Sequence, residues 1–327
     1  MDADAALGPV LDLGGGEVRA GTCSWTDPTL VKDSDWYPKR SMSAAGRLAF
    51  YASHFPVVEA DSTYYWPPGP RLAQDWVERT PPGFVMDVKG YSLLTGHPTR
   101  HQSLWEDLRS QLAEEHADKT NVYAHHLPPD ALEEAWARFE HALVPLYDAG
   151  KLGGVLLQYP AWFTPKKANR AELERIRERL ARYPVYVELR SARWWGEEDD
   201  RRRTLDLLRA HDLAHVVVDA PPVAGLPPVV EATADLAVVR FHGRNDATWN
   251  KRDISAAERF DYLYDDRELR EWVPRLQELA GQAPRLHALM NNCYGDKGVT
   301  NAGDLLRLLT EAGARPAAAP GEASSSA

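Results

Sequence analysis

Two short rows of charged side chains mark where this chain could do chemistry. Glu188 and Arg190 stand two residues apart at the end of the run VYVELR, and Arg240, His242 and Arg244 repeat that spacing in VVRFHGR. Residues two apart on a strand share a face, so each set predicts one row of side chains. A planar guanidinium grips carboxylate or phosphate through paired hydrogen bonds, and a carboxylate or imidazole beside it can move protons. The reading is therefore a pocket for an anion. Arg190, Arg240 and Arg244 would bind the charge. Glu188 is the first choice for acid–base work, with Lys89 and His242 next. Asn291 and Asn292 would orient the substrate, and Glu59, Tyr64, Gln158 and Asp219 would complete the wall. The same Glu–Arg pairs could equally serve to neutralise charge inside the protein, and one pair can do both.

Lys89 follows the run FVMDV. A lysine enclosed by apolar groups loses basicity and can act as a base or as an imine-forming nucleophile. A lysine paired with Glu59 or Glu188 explains the residue as well. Glu59, Glu188, Asp219 and His242 offer oxygen and nitrogen ligands for a divalent metal, yet HxH and HExxH spacings are missing and the nearby cations would repel one. No metal or other cofactor is therefore assigned.

These groups need a scaffold that collects strand ends. Eight apolar runs recur along the chain, at Val18 to Thr22, Val57-Val58, Phe84 to Val88, Val155 to Leu157, Val185 to Val187, Val216 to Val218, Leu236 to Val239 and Leu286 to Met290, and most run straight into a polar residue. Near-continuous Val/Leu runs suit strands covered on both faces. Helical patterns separate most of them. One starts at Ser43; another at Asp130, with Glu133 behind it as a capping box. A third opens at Thr164-Pro165, and the last at Asn301. Alternation of strand and helix means a parallel sheet, and eight strands favour a closed TIM-type (β/α)8 barrel, whose functional groups gather at the C-terminal strand ends. Two connections break the rhythm. Residues 90–129 form a long insertion after strand 3, expected to border the mouth as a mobile lid. The proline-rich stretch after strand 6 leaves little room for a helix. Cys23 and Cys293 follow strands 1 and 8, so barrel closure should bring them to the same mouth.

The 327 residues are 44% hydrophobic and 26% charged, with a net charge of -10. That suits one large globular domain and opposes a uniformly basic nucleic-acid surface, though not a local basic groove. Residues 1–16 and 315–327 are expected to be disordered flanks of a domain over 17–314. No run reaches the length of a membrane span, and MDADAALGPV lacks the pattern of a secretory signal. With only two cysteines, a cytoplasmic location is expected.

The pieces GTCSW (21–25), HFPVVEADSTYYWPP (54–68), WVERTPPGFVMDVKGYSLLTGHP (76–98), LLQYPAWF (156–163), VYVELRSARWW (185–195), VVVD (216–219), VVRFHGR (238–244) and MNNCYG (290–295) occur in order over nearly the whole chain. In this combination the sequence resembles the YecE-like family (domain of unknown function 72). The resemblance implies a TIM-type barrel and supplies no reaction. Asp61 stands where asparagine is common in that pattern, Cys23-Ser24 replaces a Ser-Gly-like pair, and the 90–129 insertion is long for it. The leading functional expectation is an enzyme acting on a small anionic, phosphorylated or nucleotide-like substrate. The alternatives are a non-enzymatic nucleic-acid or metabolite binding module and a metal-dependent phosphodiester hydrolase.

Overall fold

The computed structural model describes residues 6–318. Eight parallel strands are present: β1 (Glu17–Thr22), β2 (Val57–Ala60), β3 (Val85–Lys89), β4 (Leu152–Tyr159), β5 (Val185–Leu189), β6 (Ala214–Asp219), β7 (Leu236–Phe241) and β8 (Arg285–Met290). Each pairs with its successor, and β8 pairs with β1 over Arg285–Met290 against Glu17–Thr22, which closes the barrel. Every predicted apolar run lies within or across one of these strands. The pairing of β1 with β2 is tight at Gly21, where a Cβ would lie 2.0 Å from the Val57 carbonyl oxygen. Only glycine permits that approach.

Helices cover the outside: α1 (Ala44–Ala52), α2 (Pro70–Glu78), α3 (Pro129–Asp148), α4 (Lys167–Arg179), α5 (Glu198–Ala210), α6 (Val273–Ala280) and α7 (Lys297–Glu311). Ser43 caps α1 as expected, its hydroxyl accepting from the Gly46 amide at 3.0 Å. Three other predicted starts shift. Asp130 lies inside the first turn of α3, behind Pro128 and Pro129. Helix α4 begins two residues after Pro165. Helix α7 begins at Lys297, which puts Asn301 in its interior. After β6 the chain makes only a short 3-10 turn, Pro222–Ala224, before β7.

The barrel encloses its own small core of Cys23, Val57, Leu156, Tyr186, Ala214, Val216, Val218, Leu236, Val238 and Leu289. A larger core lies between the strands and the helices. Toward the N-terminal end a buried pair crosses the interior, His287 Nδ1 to Asp87 Oδ2 at 2.9 Å.

The expected disordered flanks need correction where they are described. Leu11–Asp12 forms a short strand that pairs antiparallel with β1 on one side and with Arg315–Pro316 on the other. Leu11 is buried, which gives the strand an anchor in the core. Residues 1–5 and 319–327 lie outside the described residues. The insertion after β3 is not a loose cover either. It holds a two-stranded ladder, Thr99–Arg100 with Asn121–Val122, and buries Tyr91, Leu93, Leu94, Leu104, Leu108 and Val122. It packs against the flank of the barrel: Arg138 of α3 binds Asp107 through paired hydrogen bonds and lies over the Trp105 ring.

Candidate functional site

Strand parity sets what faces inward at the C-terminal end. Glu59 from β2, Gln158 from β4, Glu188 from β5 and Arg240 from β7 meet across the barrel, all buried. Arg240 holds Glu59 in a bidentate pair, Nε to Oε2 at 2.9 Å and Nη2 to Oε1 at 2.7 Å. Its Nη1 also donates to Glu188 Oε2, and Nη2 lies 3.6 Å from Cys23 Sγ. The second oxygen of Glu188 accepts from Arg190 Nε. His242 Nε2 lies 3.3 Å from that same oxygen, and its Nδ1 faces the Asn291 amide nitrogen at 2.7 Å. With Asn291 donating, the imidazole is neutral and carries its proton on Nε2, aimed at Glu188.

The electrostatics follow from this wiring. Burial pushes Glu188 up, but Arg190, Arg240 and His242 together outweigh it and hold the carboxyl well below its ordinary range. Glu59 goes the other way, because burial raises it more than Arg240 and Lys89 lower it. Burial depresses His242 to about 4 despite the pull of Glu188. Glu188 is thus an ionised hub whose oxygens are occupied. That counts against its expected role as the main acid or base, since a proton shuttle needs a free lone pair directed at substrate.

Above this network opens a cavity of about 210 Å³, lined by Asp61, Tyr64, Lys89, Gln158, Arg190 and Asn291 from the strand ends. Asp27, Tyr65, Cys293 and the segment Ala256–Phe260 complete its wall. Arg190 keeps 22% of its side chain exposed, whereas Arg240 is fully enclosed. The expected anion grip therefore changes hands. Arg240 is an internal cross-brace, and the cations at the cavity are Arg190, Lys89 and Arg259, the last held by the Thr248, Trp249 and Lys251 carbonyls. The Lys89 ammonium lies 4.7 Å from the Tyr64 ring centroid. Neither Glu59 nor Glu188 forms an ion pair with it. Cys23 and Cys293 both follow their strands at this mouth, as closure requires, and both are free thiols.

Three expected site residues belong elsewhere. Asp219, at the end of β6, faces the outer helices. It accepts from Tyr264 Oη at 2.6 Å, Trp272 Nε1 at 2.8 Å and Arg244 Nη2 at 2.7 Å. Arg244 belongs to this outer cluster because β7 ends at Phe241 and Gly243 turns the chain at a φ of +81°. Alternation cannot be counted through such a turn. Asn292 is buried and bonds Asn301 and the Tyr262 carbonyl, so it fastens a loop instead of facing the cavity.

Other lining residues were missed by strand-end reading. Asp61 starts a 3-10 turn just past β2. Burial raises its carboxyl to about 7, against the pull of Lys89. Asp27 caps the short helix Pro28–Lys32 and Arg259 ends the one-turn helix Ala256–Arg259, where strand parity gives no signal. The Ser255–Glu258 capping box around Arg259 was the one cue that the segment after β7 has structure of its own. Beside the cavity runs an aromatic rim: Tyr65 to Tyr64 at 5.0 Å between centroids, Tyr64 to His97 at 5.3 Å, and His97 to Trp162 at 6.0 Å. His97 is where the insertion reaches this rim. Trp162 is 61% exposed and Trp66 56%. Among the described residues, no three His, Cys, Asp or Glu side chains gather in a set that could hold a metal ion. No helix among them is long and apolar enough to cross a membrane.

Comparison with known proteins agrees with this architecture. The family model described as "Protein of unknown function DUF72" matches residues 19–324. The UPF0759 protein YunF of Bacillus subtilis (strain 168) is 32% identical over 298 residues, covering 89% of this chain and 94% of that protein. A crystal structure of a DUF72 family protein from Enterococcus faecalis V583 superposes with a TM-score of 0.71 at 26% identity, over 90% of this chain and 95% of that one. A DUF72 family protein from Thermotoga maritima MSB8 gives a TM-score of 0.68 at 27% identity, over 90% and 99%. With the family pattern matched across the barrel and both crystal structures sharing it, this chain belongs to the DUF72 family.

Proposed function

We propose that the protein is an enzyme acting on a small anionic substrate in the cavity at the C-terminal strand ends. The observation that carries the reading is the division of labour between two arginines. Arg240 is spent internally on Glu59 and Glu188, and Glu188 in turn orients Arg190, whose Nη2 reaches His242 Nε2 at 3.5 Å and whose Nη1, with no partner among the described residues, is left to meet a ligand. A guanidinium fixed by a buried carboxylate loses little freedom on binding, which is the usual form of a preorganised anion site. Lys89 adds a second cation, and Asn291 and Gln158 add polar contacts. Asp61 replaces Glu188 as the group for proton transfer, because it lines the cavity and its carboxyl sits near neutrality. The small volume suits a compact metabolite. The binding-module alternative draws on the exposed Tyr65, Trp66 and Trp162, since such rings stack on bases.

The test is calorimetric titration of inorganic phosphate and of oxalate into wild type and Arg190→Gln. Wild type should bind at least one of the two, and the variant should lose at least tenfold in affinity while melting at nearly the same temperature. Wild type binding neither anion, or Arg190→Gln binding as well as wild type, would overturn the reading. Binding of single-stranded oligonucleotides that weakens steeply with salt, without turnover, would favour the module.

A further inference from the structure

We propose that Lys89 forms a covalent imine with a small 2-oxo acid, the carboxylate held by Arg190 and the neighbouring carbonyl presented to the lysine amine. This deepens the anionic-substrate reading and rests on it.

Four observations converge on the amine. First, the partners expected for it are engaged elsewhere. Both oxygens of Glu59 bind Arg240, and the oxygens of Glu188 bind Arg240 and Arg190. Among the described residues, no carboxylate oxygen forms an ion pair with Lys89 Nζ. Second, the amine is on the cavity wall, with the Tyr64 ring 4.7 Å away. Third, burial and then the Arg240 charge lower its basicity, while Glu59 and Asp61 only partly restore it. A lysine next to other cations in a desolvated site is the general recipe for a nucleophilic amine. Fourth, the cavity also holds an anion anchor, Arg190, and a proton donor, Asp61. A phosphate-binding lysine needs the first of these but has no use for a carboxyl poised near neutrality.

The chemistry balances without any other reagent. The neutral Nζ adds to the carbonyl carbon, forming the C–N bond as the C=O π pair moves to oxygen. Asp61 gives its proton to that oxygen and takes one back from the nitrogen, leaving a neutral carbinolamine. Asp61 then protonates the hydroxyl, the C–O bond breaks, and water departs as the nitrogen lone pair forms C=N. The product is an iminium on Lys89, one water and an ionised Asp61. The iminium makes the adjacent carbon acidic, so the reaction class reached is carbon–carbon bond making or breaking, or proton exchange, beside the former carbonyl.

Reductive trapping tests this directly. The full-length protein is incubated with pyruvate or glyoxylate and cyanoborohydride, then analysed by intact mass and peptide mapping. A single reduced adduct at Lys89 is expected, formed at least tenfold faster than at any surface lysine, slowed in Asp61→Asn, and absent in Lys89→Met that melts as wild type does. Oxalate, which has no carbonyl to attack, is titrated in parallel. Oxalate binding without an adduct at Lys89 overturns the imine and leaves the anion pocket standing. Neither binding nor an adduct overturns both. An adduct spread evenly over the surface lysines, or equal in Lys89→Met, also overturns the imine, and the wild-type labelling alone decides this if that variant fails to fold.

Discussion

Two arginine–carboxylate clusters sit at the same end of this barrel, only a few residues apart in sequence, and they have opposite orientations. The inner one joins Glu59, Arg240, Glu188, Arg190 and His242 across the barrel axis and opens on a cavity. The outer one joins Asp219, Arg244, Tyr264 and Trp272 beneath the helices, and none of these four lines the cavity. Both satisfy buried charge. What separates them is strand parity: Arg240 and His242 point inward along β7, and the turn at Gly243 throws Arg244 outward. Charge and aromatic content alone would rate the two clusters alike. Only the one whose outermost cation keeps a free nitrogen at a cavity has a use for a ligand.

The contrast breaks most readily at Arg240. Replacing it with alanine leaves Glu59 and Glu188 buried against each other, so we expect a loss of roughly 3–5 kcal/mol, read as a lower midpoint in urea or heat. A variant near wild-type stability would mean that the inner network is not a brace. Asp219→Ala should cost a similar amount. It strands the Tyr264 hydroxyl and the Trp272 indole N–H, at about 1–3 kcal/mol for each buried donor left unpaired, while Arg244 retains Glu268 and Glu271 within reach. Anion affinity should not change in that variant. A loss there would connect the outer cluster to the cavity.

Acid sharpens the comparison further. His242 and His215 are each held near 4 by burial, against an ordinary value of 6.5. Both stay neutral when folded, whereas the unfolded imidazoles take up protons once the pH drops below 6.5. Their contribution to stability is therefore complete above pH 6.5 and declines as the pH falls toward 4. Asp61 has the opposite sign. Its raised value, about 7, favours the folded state at low pH and loses that advantage as the pH rises through 7. Melting temperatures across this range should show the histidine decline, and His242→Gln should flatten it. The smallest stability effect belongs to the pair Arg190→Gln and Arg244→Gln, each about 1 kcal/mol. Only the first should weaken phosphate or oxalate binding. Equal losses would erase the distinction between the clusters.

How much of this could be read in advance depended on periodicity. Fully buried strands advertise themselves as apolar runs, so the eight strands and their closure were legible. So was the convergence of Glu188 with Arg190 and of Arg240 with His242, because each row starts on regular strand and runs only one residue past its end. Legibility ended where the strands ended. Asp61, Asp27 and Arg259 reach the cavity from turns whose direction no alternation encodes. Asp219 was misplaced because the last residue of β6 lies on the outward parity, level with Phe241 of β7. Nor does residue type reveal saturation. Arginine at a strand end reads alike whether its nitrogens are all engaged, as in Arg240, or partly free, as in Arg190.

The aromatic rim also has an optical consequence. Trp162 combines wide exposure to water with a place one ring, His97, away from Tyr64 on the cavity wall, whereas Trp194 and Trp272 are fully buried and insensitive to solvent. Its neighbour His97 is held near 4 by burial and so is uncharged at neutral pH, which spares the indole the quenching that an imidazolium would bring. An indole in water emits to the red of a buried one. Anything that settles on the rim and dries Trp162 should therefore move the emission to the blue, and Trp162→Phe should abolish that shift. The mouth of this barrel thus carries its own indicator of occupancy, by which libraries of small anions can be screened before any reaction is known.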